Sequence, residues 1–72
     1  MKVFSLYPGV PYSGGVVLIA ANSLEEAKEL VTKDKDLTYY GDVEHMEEVK
    51  ELSSNVDTPK IIIDSWYIEC MI

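Results

Sequence analysis

The 72-residue sequence predicts a small two-layer α+β domain, one helix packed on an antiparallel sheet in the order β-β-α-β-β. Three observations carry this. A six-residue apolar run, Val16 to Ala21, is too short for a helix spanning a core and suits a buried strand. A capping signal at Ser23 opens a helix directly after it. Strand-like segments rich in β-branched and aromatic residues lie on both sides of that helix. A chain of this length holds one domain and buries only about 60% of its unfolded surface, so marginal stability is expected unless self-association adds to it.

Lys2 to Tyr7 reads as the first strand, ended by Pro8-Gly9. Pro8 to Gly15 contains two prolines and three glycines and reads as a loop. A loop between two strands makes an antiparallel pair the simplest connection to Val16–Ala21. The helix is expected from Leu24 to about Lys33. In the capping box Ser23-Leu24-Glu25-Glu26, the Ser23 hydroxyl accepts from the Glu26 N–H and the Glu26 carboxylate reaches back to Ser23 N–H. Leu24, Ala27, Leu30 and Val31 form its apolar stripe, and Glu29 with Lys33 is a favourable i,i+4 pair.

Residues 34–42 read as a connection, with a brief strand over Leu37–Tyr40 as the alternative. Val43 to Leu52 gives no clean period as helix or strand; its charged character favours an edge strand from about Glu47 to Leu52. Ser53 to Pro59 is a polar turn. Lys60 to Ile68 reads as a strand interrupted at Asp64-Ser65, at a bulge or an exposed position.

Composition excludes several functions. Net charge is −7, and all six basic residues are lysine. Without arginine, the usual fork for phosphates and base edges, direct nucleic-acid binding and attachment to an anionic membrane are not expected. The single cysteine, Cys70, forms no internal disulfide and no thiolate metal site, and is expected to fill apolar space. The N-terminal segment lacks the pattern of a signal peptide and no apolar stretch reaches 18 residues, so the expected compartment is the cytoplasm.

No catalytic or cofactor motif survives inspection, and neither enzymatic activity nor a cofactor is expected. Gly9 to Gly14 has P-loop spacing, but Gly15 and Val16 stand where lysine and serine or threonine are required. Asp34 to His45 fails as a calcium loop, with Tyr39 in the glycine position and His45 in the final glutamate position. His45 lacks both a second histidine for zinc and a recognisable nucleophile, and reads as a solvated histidine among acids.

The charge distribution is the strongest functional signal. Residues 1–24 contain no acid, whereas residues 25–51 contain ten of the thirteen. Asp42, Glu44, Glu47, Glu48 and Glu51 crowd one short segment against a single lysine. Such a segment keeps a small domain soluble and guards a sheet edge; as an acidic face, it attracts a protein partner with a basic surface. Among the tyrosines, Tyr12, Tyr39 and Tyr40 are contact candidates, while Tyr7, Tyr67 and Trp66 are expected at the core edge. The sequence therefore points to a small acidic protein-binding module, for example a bacterial or phage accessory protein acting as an inhibitor or DNA-mimicking decoy. The alternative is a structural homo-oligomer joined through sheet edges, motivated by the Ile61–Ile63 run.

Overall fold

A computed structural model describes residues 1–68 of the chain. It is an α+β structure with a four-stranded antiparallel sheet and two helices. The strands are β1 (Lys2–Leu6), β2 (Ser13–Gly14), β3 (Val17–Ala21), β4 (Glu47–Ser53), β5 (Lys60–Asp64) and β6 (Tyr67–Ile68). The helices α1 (Leu24–Thr32) and α2 (Lys35–Tyr40), then a 3₁₀ turn at Val43–His45, lie between β3 and β4. The sheet order is β4-β1-β3-β5, and β2 pairs separately with β6. The expected antiparallel pairing of the first two long strands is present, from Lys2 opposite Ala21 to Leu6 opposite Val17.

Alternation along β1 and β3 divides the sheet into two faces. Phe4, Leu6, Val17, Ile19 and Ala21 form the core with Ala27 and Val31 of α1, Leu37 of α2 and Met46. Val3 and Ser5 alternate with them and belong to the face away from the helices, opposite Ala20 and Leu18. Leu30, Val43, Ile61 and Trp66 pack at the rim of the core.

Helix α1 starts where the sequence requires. Ser23 Oγ accepts from Glu26 N at 3.2 Å. The Glu26 carboxylate accepts from Asn22 N at 2.7 Å, one residue before the expected Ser23 N–H. The box thereby fastens the end of β3 to the first turn of α1. The Glu29–Lys33 pair is not closed: among the described residues the one ion-pair contact joins His45 to Asp42.

The expected order β-β-α-β-β is incomplete in three places. Residues 35–40 form α2, neither a simple connection nor a strand. Asp34 caps this helix by accepting from Asp36 N and Leu37 N, and Thr38 Oγ1 donates to the Val31 carbonyl at 2.9 Å, tying α2 to α1. The Pro8–Gly15 loop contains the two-residue strand β2. The long strand expected over residues 60–68 breaks at Ser65-Trp66 into β5 and β6. Cys70 lies outside the described residues.

Gly15 packs directly against that break. Its φ is +86°, and a Cβ there would strike the Ser65 carbonyl and sit 2.5 Å from Trp66 Cα. The loop and the β5–β6 junction touch backbone to backbone, and only glycine fits. Ser65 N donates to the Val16 carbonyl at 3.1 Å beside this contact.

Both edge strands are irregular. In β5, Leu18 faces Ile63 and Ile19 faces Ile61, leaving Ile62 as an extra residue. In β4, Phe4 faces Glu48 but Lys2 faces Ser53, so β4 advances five residues while β1 advances two. Such bulges blunt a free edge against pairing with other chains. Residues 54–59 carry the chain from one edge to the other, across the end of β1. Six extended residues reach about 20 Å, enough for the roughly 14 Å across three strand spacings. Met1 closes this end: Ser54 N donates to the Met1 carbonyl at 2.9 Å, and the Met1 amine donates to the Ser54 carbonyl at 2.6 Å.

Candidate functional site

The acidic segment enters β4 through a tightly tied corner. Pro8 bridges Gly41, and Asp42 N donates to the Tyr7 carbonyl at 2.8 Å. The chain leaving α2 is thereby pinned beside the end of β1. The 3₁₀ turn then delivers Met46 into the core. With Met46 buried, Glu47 and Glu48 are placed at the start of the edge strand, opposite Ser5 and Phe4. Glu44, Glu47, Glu48 and Glu51 are all exposed.

An open groove of about 320 Å³ runs along this strand, lined by Ser5, Tyr7, Glu47, Glu48, Val49, Lys50 and Glu51. Its floor is Ser5, 3% exposed, whose hydroxyl donates to the Glu47 carbonyl at 3.4 Å. Tyr7 supplies an aromatic wall, with 54% of its surface free. The groove coincides with the β4 bulge, where residues 49–52 have no register partner on β1.

The structure gathers Glu47, Glu48 and Glu51 around this groove and leaves the other expected contacts outside it. Asp42 is turned to His45, whose Nδ1 lies 2.8 Å from one carboxylate oxygen. That hydrogen bond and the Asp42 charge raise the His45 pKa above its ordinary value, with a smaller contribution from the Glu44 charge. Tyr39 and Tyr40 project from α2 and meet edge to face at 4.8 Å between ring centroids. Tyr39 is exposed and Tyr40 half-buried. Tyr12 sits on the first loop with φ +58° and is exposed.

Tyr7 and Tyr67, expected at the core edge, are both more than half exposed, while Trp66 packs against the core as expected. Tyr67 lies over Gly14, where a Cβ would sit 2.8 Å from its hydroxyl. Sequence reasoning missed Val49 and Lys50, which flank the predicted acids, and Ser5 of β1 with Tyr7 just beyond it. Strand alternation supplies the signal for the last two: Ser5 and Tyr7 share a face with each other and oppose Leu6.

Among the described residues, no group of three histidine, cysteine, aspartate or glutamate side chains is arranged to hold a metal ion. No described helix is long and apolar enough to cross a membrane. No protein-family model matches the chain, and no curated protein or solved structure shows significant similarity to it.

Proposed function

We propose that the chain is a protein-binding module without enzymatic activity, and that its acidic β4 segment receives a partner with a basic surface. The observation that carries this reading is the open groove along β4, whose lining includes Glu47, Glu48 and Glu51 as well as Tyr7. Concentrated carboxylates speed encounter with a basic partner and disfavour acidic ones. Composition supports the same direction, with ten of thirteen acids in residues 25–51 and no arginine. In its sharpest form the module is an inhibitor or decoy that occupies the nucleic-acid groove of another protein, a role suited to a bacterial or phage accessory protein acting in the cytoplasm.

The test is capture of partners from the native host at low and moderate salt, repeated with Glu44→Lys, Glu47→Lys, Glu48→Lys and Glu51→Lys combined. These side chains are exposed, so the fold is retained. The reading requires a specific basic protein that is captured at low salt, weakened by salt, and lost with the reversed charges. Unchanged capture by the variant refutes the acidic-face assignment.

A further inference from the structure

We propose that the tyrosine-bearing end of the sheet is a second interaction surface, which receives an extended, proline-rich segment of a partner protein with lysine or arginine beside its prolines. The register defines this end. Leu6 pairs with Val17 and Val17 with Asp64, so Tyr7, the 8–15 loop and residues 65–68 all lie beyond the same end of the sheet. Gly9 N donates to the Tyr40 carbonyl at 2.7 Å, which brings the end of α2 there as well. All five tyrosines and Trp66 therefore collect at one end, and Tyr7, Tyr12, Tyr39 and Tyr67 are each more than half exposed.

Two of these rings are mounted open to solvent. Tyr12 has φ +58°, a left-handed conformation disfavoured for any residue with a Cβ. Its side chain is exposed, so no burial offsets that strain. Ser13 Oγ donates to the Val10 carbonyl and closes the bend that holds Tyr12. Tyr67 lies across Gly14, the residue paired with it, so backbone backs one side of the ring while the other is left to solvent. Tyr12 is two residues from Gly14, a reach of about 7 Å, and one strand spacing adds about 5 Å sideways, so the two rings are anchored within about 9 Å of each other. One turn of a polyproline II helix, three residues, also spans about 9 Å.

These features select the ligand. Exposed aromatic rings on a fixed backbone suit a proline-rich segment, whose preformed helix loses little entropy on docking and whose carbonyls, unpaired within that helix, accept from tyrosine hydroxyls. Asp42, Glu44 and Asp64 lie at this end, and residues 7–16, 39–45 and 64–68 contain no lysine. That charge repels the phosphates of nucleic acids, whose bases also stack on tyrosine, and attracts a cationic residue next to the prolines. The assignment is independent of the β4 reading, because it turns on the rings and not on Glu47, Glu48 and Glu51.

The test is a titration of the isotopically labelled chain with a capped peptide of consecutive prolines flanked by arginines, and with the same peptide carrying alanine for proline. The expected result is saturable amide shifts centred on Tyr12, Gly14 and Tyr67 with the proline peptide, and weaker binding of the alanine peptide. Tyr67→Ala should weaken binding about five-fold or more, the size of a truncated interface tyrosine, with retained amide dispersion showing that the variant is folded. Tyr12→Gly should weaken binding likewise while leaving the unfolding midpoint unchanged or higher, because glycine accepts a positive φ. Removal of a tyrosine with a merely structural role would lower that midpoint.

Equal binding of the alanine peptide overturns the assignment to proline. Shifts that map elsewhere, the absence of shifts, or binding that survives both substitutions overturn the surface. Shifts of Tyr12 and Tyr67 on dilution of the chain alone assign the rings to a second copy and overturn it too. Each of these outcomes leaves capture through the β4 acids standing, since reversal of those charges tests it separately.

Discussion

The imidazole Nδ1 of His45 lies 2.8 and 2.9 Å from the two carboxylate oxygens of Asp42. A carboxylate only accepts, so Nδ1 carries the proton and the neutral ring protonates at Nε2. The contact spans three residues and closes the 3₁₀ turn that feeds β4.

This pairing sets a pH dependence. His45 has its pKa raised in the folded chain, first by the hydrogen bond to Asp42 and then by its charge. A group with a raised folded pKa contributes stability that is fully present below the unfolded value, about 6.5, and is lost as pH rises through the folded one. The His45 ring resonances should therefore titrate above that ordinary value by NMR. Asp42→Asn should return them toward it; an unchanged midpoint in the variant would show that the contact is not formed in solution.

Ser23→Ala should destabilise the chain by about 1 kcal/mol, the usual loss for an N-cap oxygen. The Ser23 hydroxyl satisfies Glu26 N, and the carboxylate of the same Glu26 holds Asn22 N, so the loss falls on the β3–α1 junction. Urea unfolding, with the slope held constant, measures it.

Leu6→Ala should cost more, about 2–5 kcal/mol, because Leu6 is fully buried in the core cluster. Gly41→Ala should also destabilise: a Cβ there would strike the Leu37 carbonyl and come within 2.9 Å of Leu6 Cδ2. Thermal unfolding should place both variants below the parent, with Leu6→Ala opening a cavity and Gly41→Ala crowding the α2 terminus.

Self-pairing through β5 is opposed by its bulge. An antiparallel pair of β5 strands centred on Ile62 would set Lys60 opposite Asp64 of a second copy. Directly opposed residues share a face, yet Lys60 pairs with Ala20 and Asp64 with Val17, which belong to opposite faces. Sedimentation at high protein concentration should therefore show no association through this edge. A dimer dissociated by Asp64→Lys and restored by adding Lys60→Asp would contradict the argument.

The elements legible in the sequence are those with a strong period or a cap. Strands β1 and β3 follow from β-branched content and an unbroken apolar run, and α1 from Ser23, Glu26 and the Ala27–Val31 spacing. Strand β4 was legible through its charge alone. Helix α2 was not, because Thr38, Tyr39 and Tyr40 favour strands and Leu37 is its single buried residue; capping by Asp34 and docking by Thr38 outweigh that preference. The bulges and the β2–β6 pair are tertiary effects. Ile62 resembles its neighbours, and only the sheet register makes it the extra residue. The candidate site was half visible: the acids stand out in composition, but Tyr7 joins them only through pairing of residues about forty apart in sequence.

That separation has a consequence for how the chain is made. The β1–β3 pair and α1 are complete once about thirty residues exist, but their flanking strands lie at residues 47–53 and 60–64. At about 5–20 residues per second on the ribosome, roughly two to nine seconds pass between synthesis of Ala21 and Asp64. Until Ser53 has been made, the hairpin carries Leu6 and Ile19 with both backbone edges bare. The late acidic stretch is then the first covering to arrive, and the nascent sheet is closed on one side by charge before it is closed on the other by isoleucine.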